Sequence, residues 1–495
     1  IGTATHITDR IERNVLGHPV RMMLAANTAS ARIVQQCVDY RGLSESTTGP
    51  DGTIQRSLYD ERGLPLSESA EGADGSRTAT RRVYDRSGRV VRLLQGPTED
   101  RVTQFRYDGF GRLREIVHPN GSTSRFIWAA RDLLAREEIE GDPGDGSRRL
   151  LSRKSYDYDA RQRLIRTREL SFRDNPGAAV ELLEEYLYDE VNRLWRVVSP
   201  RGGVTAQDYD GAGRITRLVD AEANEQVYEH DAAGRIVAVT FRDQESGGVR
   251  ERRWRIEYDA RGRRVRSIEP DGTETREEFD DRDLPVRRIE PLDVVRERSF
   301  GAFGELLRDT LDPAGLNIVN RWEYDSGGRP IRYIDPMGQI TTNNYDGIGR
   351  LVSTNYPGGF TSTRSFNNAG YLTTESIAGG PVLQFGYDAA GRLRSLRSAG
   401  AGPIAALADH TFTYDGRNQL VGAIAGGLAV DRRFDSRSRL IREALNGAAL
   451  DLFYDDVVGT RERRWPDGRL ERLDLDLNER VGSVKRMAAG ALGSG

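Results

Sequence analysis

The chain has 495 residues, of which 30% are charged, yet its formal net charge is only −3. Acids and bases are interspersed, so no basic stripe marks a nucleic-acid surface. No apolar run is long enough to cross a membrane as a helix; the single cysteine, Cys37, excludes an internal disulfide; and the histidines, His6, His18, His118, His230 and His410, show no metal-ligand spacing.

The chain starts at Ile1, with neither Met nor a signal-peptide pattern, and is expected to be a fragment or a processed product. Length alone suggests about three domains. A repeat overrides that expectation, because an array is one continuous structure. Residues 1–37 read as a degenerate repeat or lead-in, 38–480 as the repeat array, and 481–495 as a Gly/Ala-rich tail.

The repeated phrase is aromatic-Asp-x-x-Gly-Arg. It stands at Tyr84-Asp85, Tyr107-Asp108, Tyr209-Asp210, Tyr258-Asp259, Tyr345-Asp346 and Tyr387-Asp388, each followed by its Gly-Arg. Taking the aromatic as origin, further copies begin at Tyr59, Tyr158, Tyr188, His230, Phe279, Phe300, Tyr324, Phe366, Tyr414, Phe434 and Tyr454. Degenerate copies sit at Val38-Asp39, Trp128 and Leu475-Asp476. The modal spacing is 21 residues, and longer gaps at 128–158, 158–188, 230–258 and 387–414 read as loop insertions. Residues 141–147 (GDPGDGS) read as a surface loop.

A second mark falls inside each unit, as in Pro119-Asn120-Gly121, Pro200-Arg201-Gly202, Pro270-Asp271-Gly272, Pro336-Met337-Gly338, Pro357-Gly358-Gly359 and Pro466-Asp467-Gly468. Pro presets φ for the first corner of a turn, and Gly supplies the positive φ that closes it. The Asp after each aromatic can accept from backbone N–H groups downstream. Asn192 and Asn418 replace the Gly in two units, and Asn is the residue that best tolerates a left-handed φ after Gly. Two turn signals with strand-length segments between them specify a two-stranded β unit. No sustained helical period appears; the Ala-rich stretches 401–409 and 486–492 are short helix or coil.

The expected fold is therefore all-β, a repeat array of two-stranded units. About 19 units give about 38 strands, or a sheet roughly 180 Å wide at ~4.8 Å per strand. Sheets of that width curl, split or close. Closed once, the ring would be roughly 60 Å across, too wide for side chains to fill. The competing layout is a propeller with two units per blade.

Catalytic motifs are lacking. Most Asp residues fall in the turn slot, and no Gly-x-Ser-x-Gly elbow, P-loop or His-Glu-x-x-His stands in the chain. No catalytic, cofactor-binding or metal site is assigned. Cys37 reads as a small core residue rather than a nucleophile. Tyr107, Tyr258, Tyr345 and Tyr387 could stack on sugars if exposed, but packing in a ladder is the expected role. Arg112, Arg214, Arg263, Arg350 and Arg392 are expected to pair with acids on neighbouring strands. Asn120-Gly121-Ser122 matches a glycosylation acceptor but lies within a Pro-x-Gly turn.

These phrases resemble the YD repeat of the Rhs family, shared with the toxin-complex B and C subunits and with animal teneurins. The resemblance covers about residues 38 to 480. It implies a spiralling sheet closing into a hollow shell that, in bacterial members, encloses a toxic C-terminal domain and is exported with it. Bacterial shells end in a block with an aspartyl self-cleavage site and a DPxGL-like motif. Residues 312–316, Asp-Pro-Ala-Gly-Leu, match that string, but repeats continue at Tyr324 and Tyr345, so this segment and Asp335-Pro336-Met337-Gly338 read as turns. The resemblance implies a non-enzymatic shell segment, secreted or at the cell surface, needing no cofactor. Its partners would be an enclosed toxin polypeptide or the rest of the same shell, and the secretion apparatus. The alternative is an extracellular adhesion or carbohydrate-binding scaffold.

Overall fold

The computed structural model describes residues 9–24, 31–96, 101–173, 176–245, 247–399 and 409–487. Among them are 42 strands, three one-turn 3-10 segments and no α-helix. The strands are assigned to one sheet. Wherever the register is defined, each strand pairs antiparallel with the one before or after it in the chain. No break recurs every four strands, which excludes the propeller layout.

One unit shows why the sequence folds this way. Strand Val204–Tyr209 ends on the aromatic. Asp210 N then donates to Arg214 O (2.9 Å) and Gly213 N to Asp210 O (3.0 Å), with Gly213 at φ +82°. That conformation needs a residue tolerant of positive φ, and Asn192 (+70°) and Asn418 (+66°) meet the need in their units. The chain returns as Ile215–Val219, with Tyr209 opposite Ile215 and Asp208 opposite Arg217. Thr216 is therefore an extra residue, a bulge just past the turn. The Pro-x-Gly turns close alike: Glu269 N donates to Thr273 O (2.8 Å) and Gly272 N to Glu269 O (3.0 Å).

Three of the long gaps are not loop insertions alone, though the first keeps the expected surface loop at 142–148. Their extra residues lengthen hairpins: Leu134–Gly141 with Arg149–Tyr158, Leu164–Ser171 with Val180–Tyr188, and Ile236–Glu245 with Gly248–Tyr258. Alternating side chains in these segments continue the ladder, which costs less than leaving backbone groups unpaired. In the fourth gap, strand Leu393–Ala399 precedes residues outside the description. Of the Ala-rich stretches, 401–408 and 488–492 lie outside the described residues, while Arg486 and Met487 close the strand Val481–Met487. Paired strands also lie at Arg10–Arg13 and Pro19–Leu24, ahead of the first recognisable repeat.

The chain divides into two compact units. One comprises Ile1–Gln104, Asp259–Arg266 and Glu274–Ala408; the other comprises Phe105–Tyr258, Ser267–Thr273 and Asp409–Gly495. Each gathers segments far apart in sequence. The reason lies in the turns.

Candidate functional site

The Asp of each phrase organises its own turn. In Asp210, Oδ1 accepts from the N–H of Ala212 and of Arg214 (both 2.9 Å), and Oδ2 accepts from Arg214 Nε (2.6 Å). Asp85, Asp108, Asp189 and Asp388 repeat the pattern. The Arg214 N–H, outweighing burial, holds the Asp210 carboxyl below its usual range. These carboxylates are fully engaged as acceptors and are not poised for acid–base chemistry.

The sixth-position Arg does more than the sequence indicated. Arg112, Arg214, Arg263, Arg350 and Arg392 each pair with the Asp of their own turn, and Arg112 and Arg263 also pair with an acid of the next unit, Asp132 (3.2 Å) and Asp283 (2.7 Å). The same guanidinium then reaches the next unit. Arg214 Nη1 donates to Asp231 O (3.3 Å), Arg263 Nη1 to Asp280 O (3.1 Å) and Arg350 Nη1 to Asn367 O (3.1 Å). It also lies over the next aromatic: Arg193 over Tyr209 at 4.6 Å, Arg263 over Phe279 and Arg350 over Phe366 at 4.8 Å. A planar fork serves all three contacts. Where Tyr371 replaces Arg, it stacks on Tyr387 at 4.7 Å instead.

The aromatics are occupied too. Tyr258 donates its hydroxyl to Ile236 O (2.9 Å), Tyr345 to Pro330 O (3.0 Å), Tyr209 to Leu194 O (2.7 Å) and Tyr84 to Pro65 O (2.8 Å). Each acceptor lies in the preceding unit, which explains Tyr rather than Phe at most origins. Tyr107, Tyr258, Tyr345 and Tyr387 are half-buried in this ladder and not displayed for sugars.

The turns also make long-range contacts, which the motif does not reveal. In the unit containing the N-terminal segment, Ser326 Oγ donates to Pro50 O (3.0 Å) and Arg329 pairs with Asp51 (3.2 Å). Thr53 Oγ1 donates to Gly347 O (2.7 Å) and Gly347 N to Asp74 Oδ2 (2.9 Å). Arg32 pairs with Glu305, and Arg101 Nη1 donates to the Tyr371 hydroxyl. In the other unit, Asn120 Nδ2 donates to Gly416 O (3.1 Å) and Asn418 Oδ1 (3.0 Å), and Gly416 N to Asp142 O (2.6 Å). Arg201 Nη1 donates to Asp476 O (2.7 Å), and Asn478 Nδ2 to Asp220 Oδ2 (2.7 Å). In both units the rule is the same. Aspartate turns late in the chain dock on the second-type turns of early units, and the middle residue of Pro-x-Gly (Asp51, Asn120, Arg201) supplies the reaching side chain.

Two pairs of glycines permit the approach. A Cβ on Gly72 would lie 2.4 Å from Gly347 Cα, and one on Gly416 would lie 3.1 Å from Gly141 Cα. Beside the second contact, Ser436 Oγ donates to Leu170 O (2.8 Å) and accepts from Phe172 N (2.9 Å). Arg439 bridges Asp435 (2.7 Å) and Asp456 (2.8 Å), and Asp456 also accepts from Ser171 Oγ (2.8 Å). Burial opposes ionisation of Asp456, but the bonds from Arg439 and Ser171 outweigh it and hold the carboxyl low. A cavity of about 190 Å³ nearby is lined in part by Glu169, Arg437, Arg439, Tyr454 and Asp456, and Arg437 and Arg439 there pair with Glu169 and Asp456.

The remaining sequence candidates resolve simply. Cys37 is exposed, against the expectation of a core residue, because it lies on the outward-alternating side of strand Arg32–Val38. Asp312, at φ +52°, accepts from Gly315 N (3.1 Å) through its carbonyl and from Leu316 N (2.7 Å) through Oδ2, and so builds a turn. Asp335 accepts from Met337 N and Gln339 N. Among the described residues no group of three or more His, Cys, Asp or Glu could hold a metal ion, and no helix is long and apolar enough to cross a membrane.

Comparison with known proteins agrees with this geometry. The RHS repeat family matches residues 84–123, 188–225 and 324–361, so these segments are RHS repeats. The fold is similar to the crystal structures of TcdB2-TccC3-Cdc42 (TM-score 0.53) and TcdB2-TccC3 (TM-score 0.52), each at 13% identity. These matches cover 96% and 97% of this chain but 31% and 33% of the solved chains, so it spans about a third of their length. Comparison with curated proteins gives no match.

Proposed function

We propose that this chain is wall material of a hollow RHS-repeat container, that the container houses a polypeptide toxin, and that it is exported with its cargo. The observation that carries the reading is the docking of late turns on early ones. The contacting residues are separated by 273 positions at Arg32–Glu305 and Asp74–Gly347, 274 at Arg201–Leu475 and 275 at Arg201–Asp476. Counted by phrases, the docked turn is the twelfth after Arg32 and after Asp74 and the thirteenth after Arg201, so a ladder winding once every twelve to thirteen units would bring those turns edge to edge.

Burial supports a wall over a solid body. The buried apolar residues are few, Leu94, Leu151, Phe172, Leu182, Ala238, Val421, Ile441, Ala444, Leu470 and Leu473, and no large side chain among the described residues is fully buried. A globule of this length would bury far more. Balanced surface charge suits a lining that must not grip one folded shape. The wall acts sterically and has no catalytic role; its partners are the rest of the shell and the enclosed polypeptide.

Small-angle scattering tests the container. A solid body of this length has a radius of gyration of about 23 Å. A hollow wall gives a distinctly larger value with a pair-distance distribution skewed to long vectors, and a value near the solid-body figure overturns the reading. Protease digestion of the complete gene product tests the cargo: a downstream segment that survives until the wall is cut supports housing, and immediate loss of that segment refutes it.

A further inference from the structure

The dipeptide Asn-Gly stands twice in the chain, at Asn120-Gly121 and Asn446-Gly447. Glycine carries no Cβ, so nothing on its own residue hinders its amide nitrogen from reaching the side-chain carbon of the asparagine before it. The two copies share one intrinsic chemistry, and the fold treats them in opposite ways.

At Asn120 both the leaving group and the nucleophile of that chemistry are engaged. Nδ2 donates to Gly416 O (3.1 Å) and Asn418 Oδ1 (3.0 Å), and Oδ1 accepts from Ser122 N (2.9 Å) and Ser122 Oγ (2.7 Å). Gly121 N donates to His118 O (2.9 Å). The side-chain amide has no donor left over, and cyclisation there would have to undo the docking of two turns.

At Asn446 only the carbonyl is held. Asn446 and Gly447 form the two-residue corner between strands Leu440–Leu445 and Ala448–Asp455, with φ of +48° and +86°, and both are exposed. Asn446 N donates to Ala429 O (2.8 Å), and Asn446 Oδ1 accepts from Ala429 N (2.7 Å). Among the described residues neither Asn446 Nδ2 nor Gly447 N has a hydrogen-bond partner. A fixed N–H on Oδ1 draws electron density from Cγ and stabilises the negative charge that oxygen gains when a nucleophile adds. The corner therefore offers a free nucleophile, a free leaving group and a polarised carbonyl.

We propose that Asn446 is a site of self-modification, where the chain converts its own asparagine to aspartate and isoaspartate, and that the docked turn spares Asn120. Gly447 N bonds to Asn446 Cγ, and the Cγ–Nδ2 bond breaks. Nδ2 leaves as ammonia, taking the proton that Gly447 N gives up. Water then adds to one of the two carbonyls of the cyclic imide. Cleavage of the new N–Cγ bond leaves aspartate, and cleavage of the original peptide bond leaves isoaspartate; nothing is oxidised or reduced. Isoaspartate adds a carbon to the main chain at a corner closed by two residues, which removes the register of Leu445 opposite Ala448. The proposal does not depend on the container reading.

The test incubates the full chain at neutral and mildly alkaline pH, natively and in denaturant. Peptides containing each asparagine are followed by mass spectrometry, and isoaspartate is detected by methyl transfer with an isoaspartyl methyltransferase. In denaturant the two sites react at similar rates. In the native chain Asn446 reacts at least ~10-fold faster than Asn120, about 1.4 kcal/mol at the barrier, with isoaspartate appearing at 446. The double variant Ser122→Ala with Asn418→Gly removes partners of Asn120 while suiting the φ of +66° at position 418; it narrows the native difference by speeding Asn120. Native rates that are equal, an Asn446 that stays intact while the denatured chain reacts, or a double variant that leaves Asn120 as slow as in the parent each overturns the proposal.

Discussion

Gly72 and Gly347 meet backbone to backbone: a Cβ on Gly347 would stand 2.5 Å from Gly72 Cα, and one on Gly72 would stand 2.4 Å from Gly347 Cα. Neither glycine needs a positive φ. Each is a glycine because the facing turn leaves no room for a side chain, and between them pass the bonds from Gly347 N to Asp74 and from Thr53 to Gly347 O. Gly141 and Gly416 repeat the arrangement in the other unit, where Asn120 supplies the bond to Gly416 O.

Gly347→Ala should destabilise its unit by ~1–3 kcal/mol, the range for overpacking against unyielding atoms. Gly211 holds the same place in its turn with nothing within 4 Å of its Cβ position, so Gly211→Ala should change stability by no more than about 0.5 kcal/mol. Denaturant unfolding of the two variants beside the parent measures the contrast, and equal effects would show that the close approach is not what fixes Gly347.

Asp210→Ala removes three acceptor bonds from one turn, leaving the N–H groups of Ala212 and Arg214 without their carboxylate. A loss of about 1–2 kcal/mol is expected, by analogy with helix caps that satisfy comparable N–H groups. Asp210→Asn keeps an oxygen for those N–H groups and gives up only the charged bond to Arg214, so it should recover most of the loss. Thermal unfolding of both variants is the check.

Arg193→Lys keeps the charge and loses the fork. Arg193 binds Asp189 Oδ2 (2.7 Å) and Asp210 O (3.1 Å) while lying 4.6 Å over the Tyr209 ring. An ammonium cannot make these contacts together, and about 0.5–1.5 kcal/mol should be lost, the scale of one cation–π contact with a hydrogen bond. A double-mutant cycle with Tyr209→Leu should return a coupling energy of that order, and zero coupling would mean that the stacking contributes nothing.

How far the sequence reveals all this depends on which residue is asked. Asp210 and Gly213 are legible because their roles are local: a turn needs an acceptor and a positive φ at fixed spacing, and the spacing recurs. The sixth-position Arg is half legible, since its partner is four residues away but its aromatic lies in the next unit. Gly347, Ser326, Gly416 and Ser436 occupy the variable position after Asp, and their smallness matters only because a distant turn stands opposite. Gly109 and Gly211 are equally small at that position and have nothing within 4 Å, so size alone could not have identified the docked turns. The gap 230–258 reads as a loop insertion because a longer period resembles a gap; its alternation of exposed and half-buried residues from Trp254 to Tyr258 belongs to a strand. Asn120 was legible as a turn residue but not as a docking residue, for the same reason as Gly416.

The docking contact at Asp74 should respond to acid in a defined window. Its carboxyl is lowered from 3.8 to about 2, chiefly by the Ser76 hydroxyl, then by the Gly347 N–H and the Ser76 N–H. A carboxyl whose folded pKa is depressed stabilises the folded arrangement fully above its unfolded value and loses that contribution as pH falls through the folded value. The contact is thus intact at pH 5, weakens below about 4 and is lost near 2. Hydrogen exchange followed by mass spectrometry on the peptide containing Gly347 should show protection at pH 5 that declines towards pH 2.5 in the parent chain. In Asp74→Asn the amide oxygen can still accept from Gly347 but does not titrate, so the decline across that window should flatten relative to the parent. A parent and variant that lose protection in parallel would place the acid-sensitive group elsewhere and remove Asp74 as the pin of that contact.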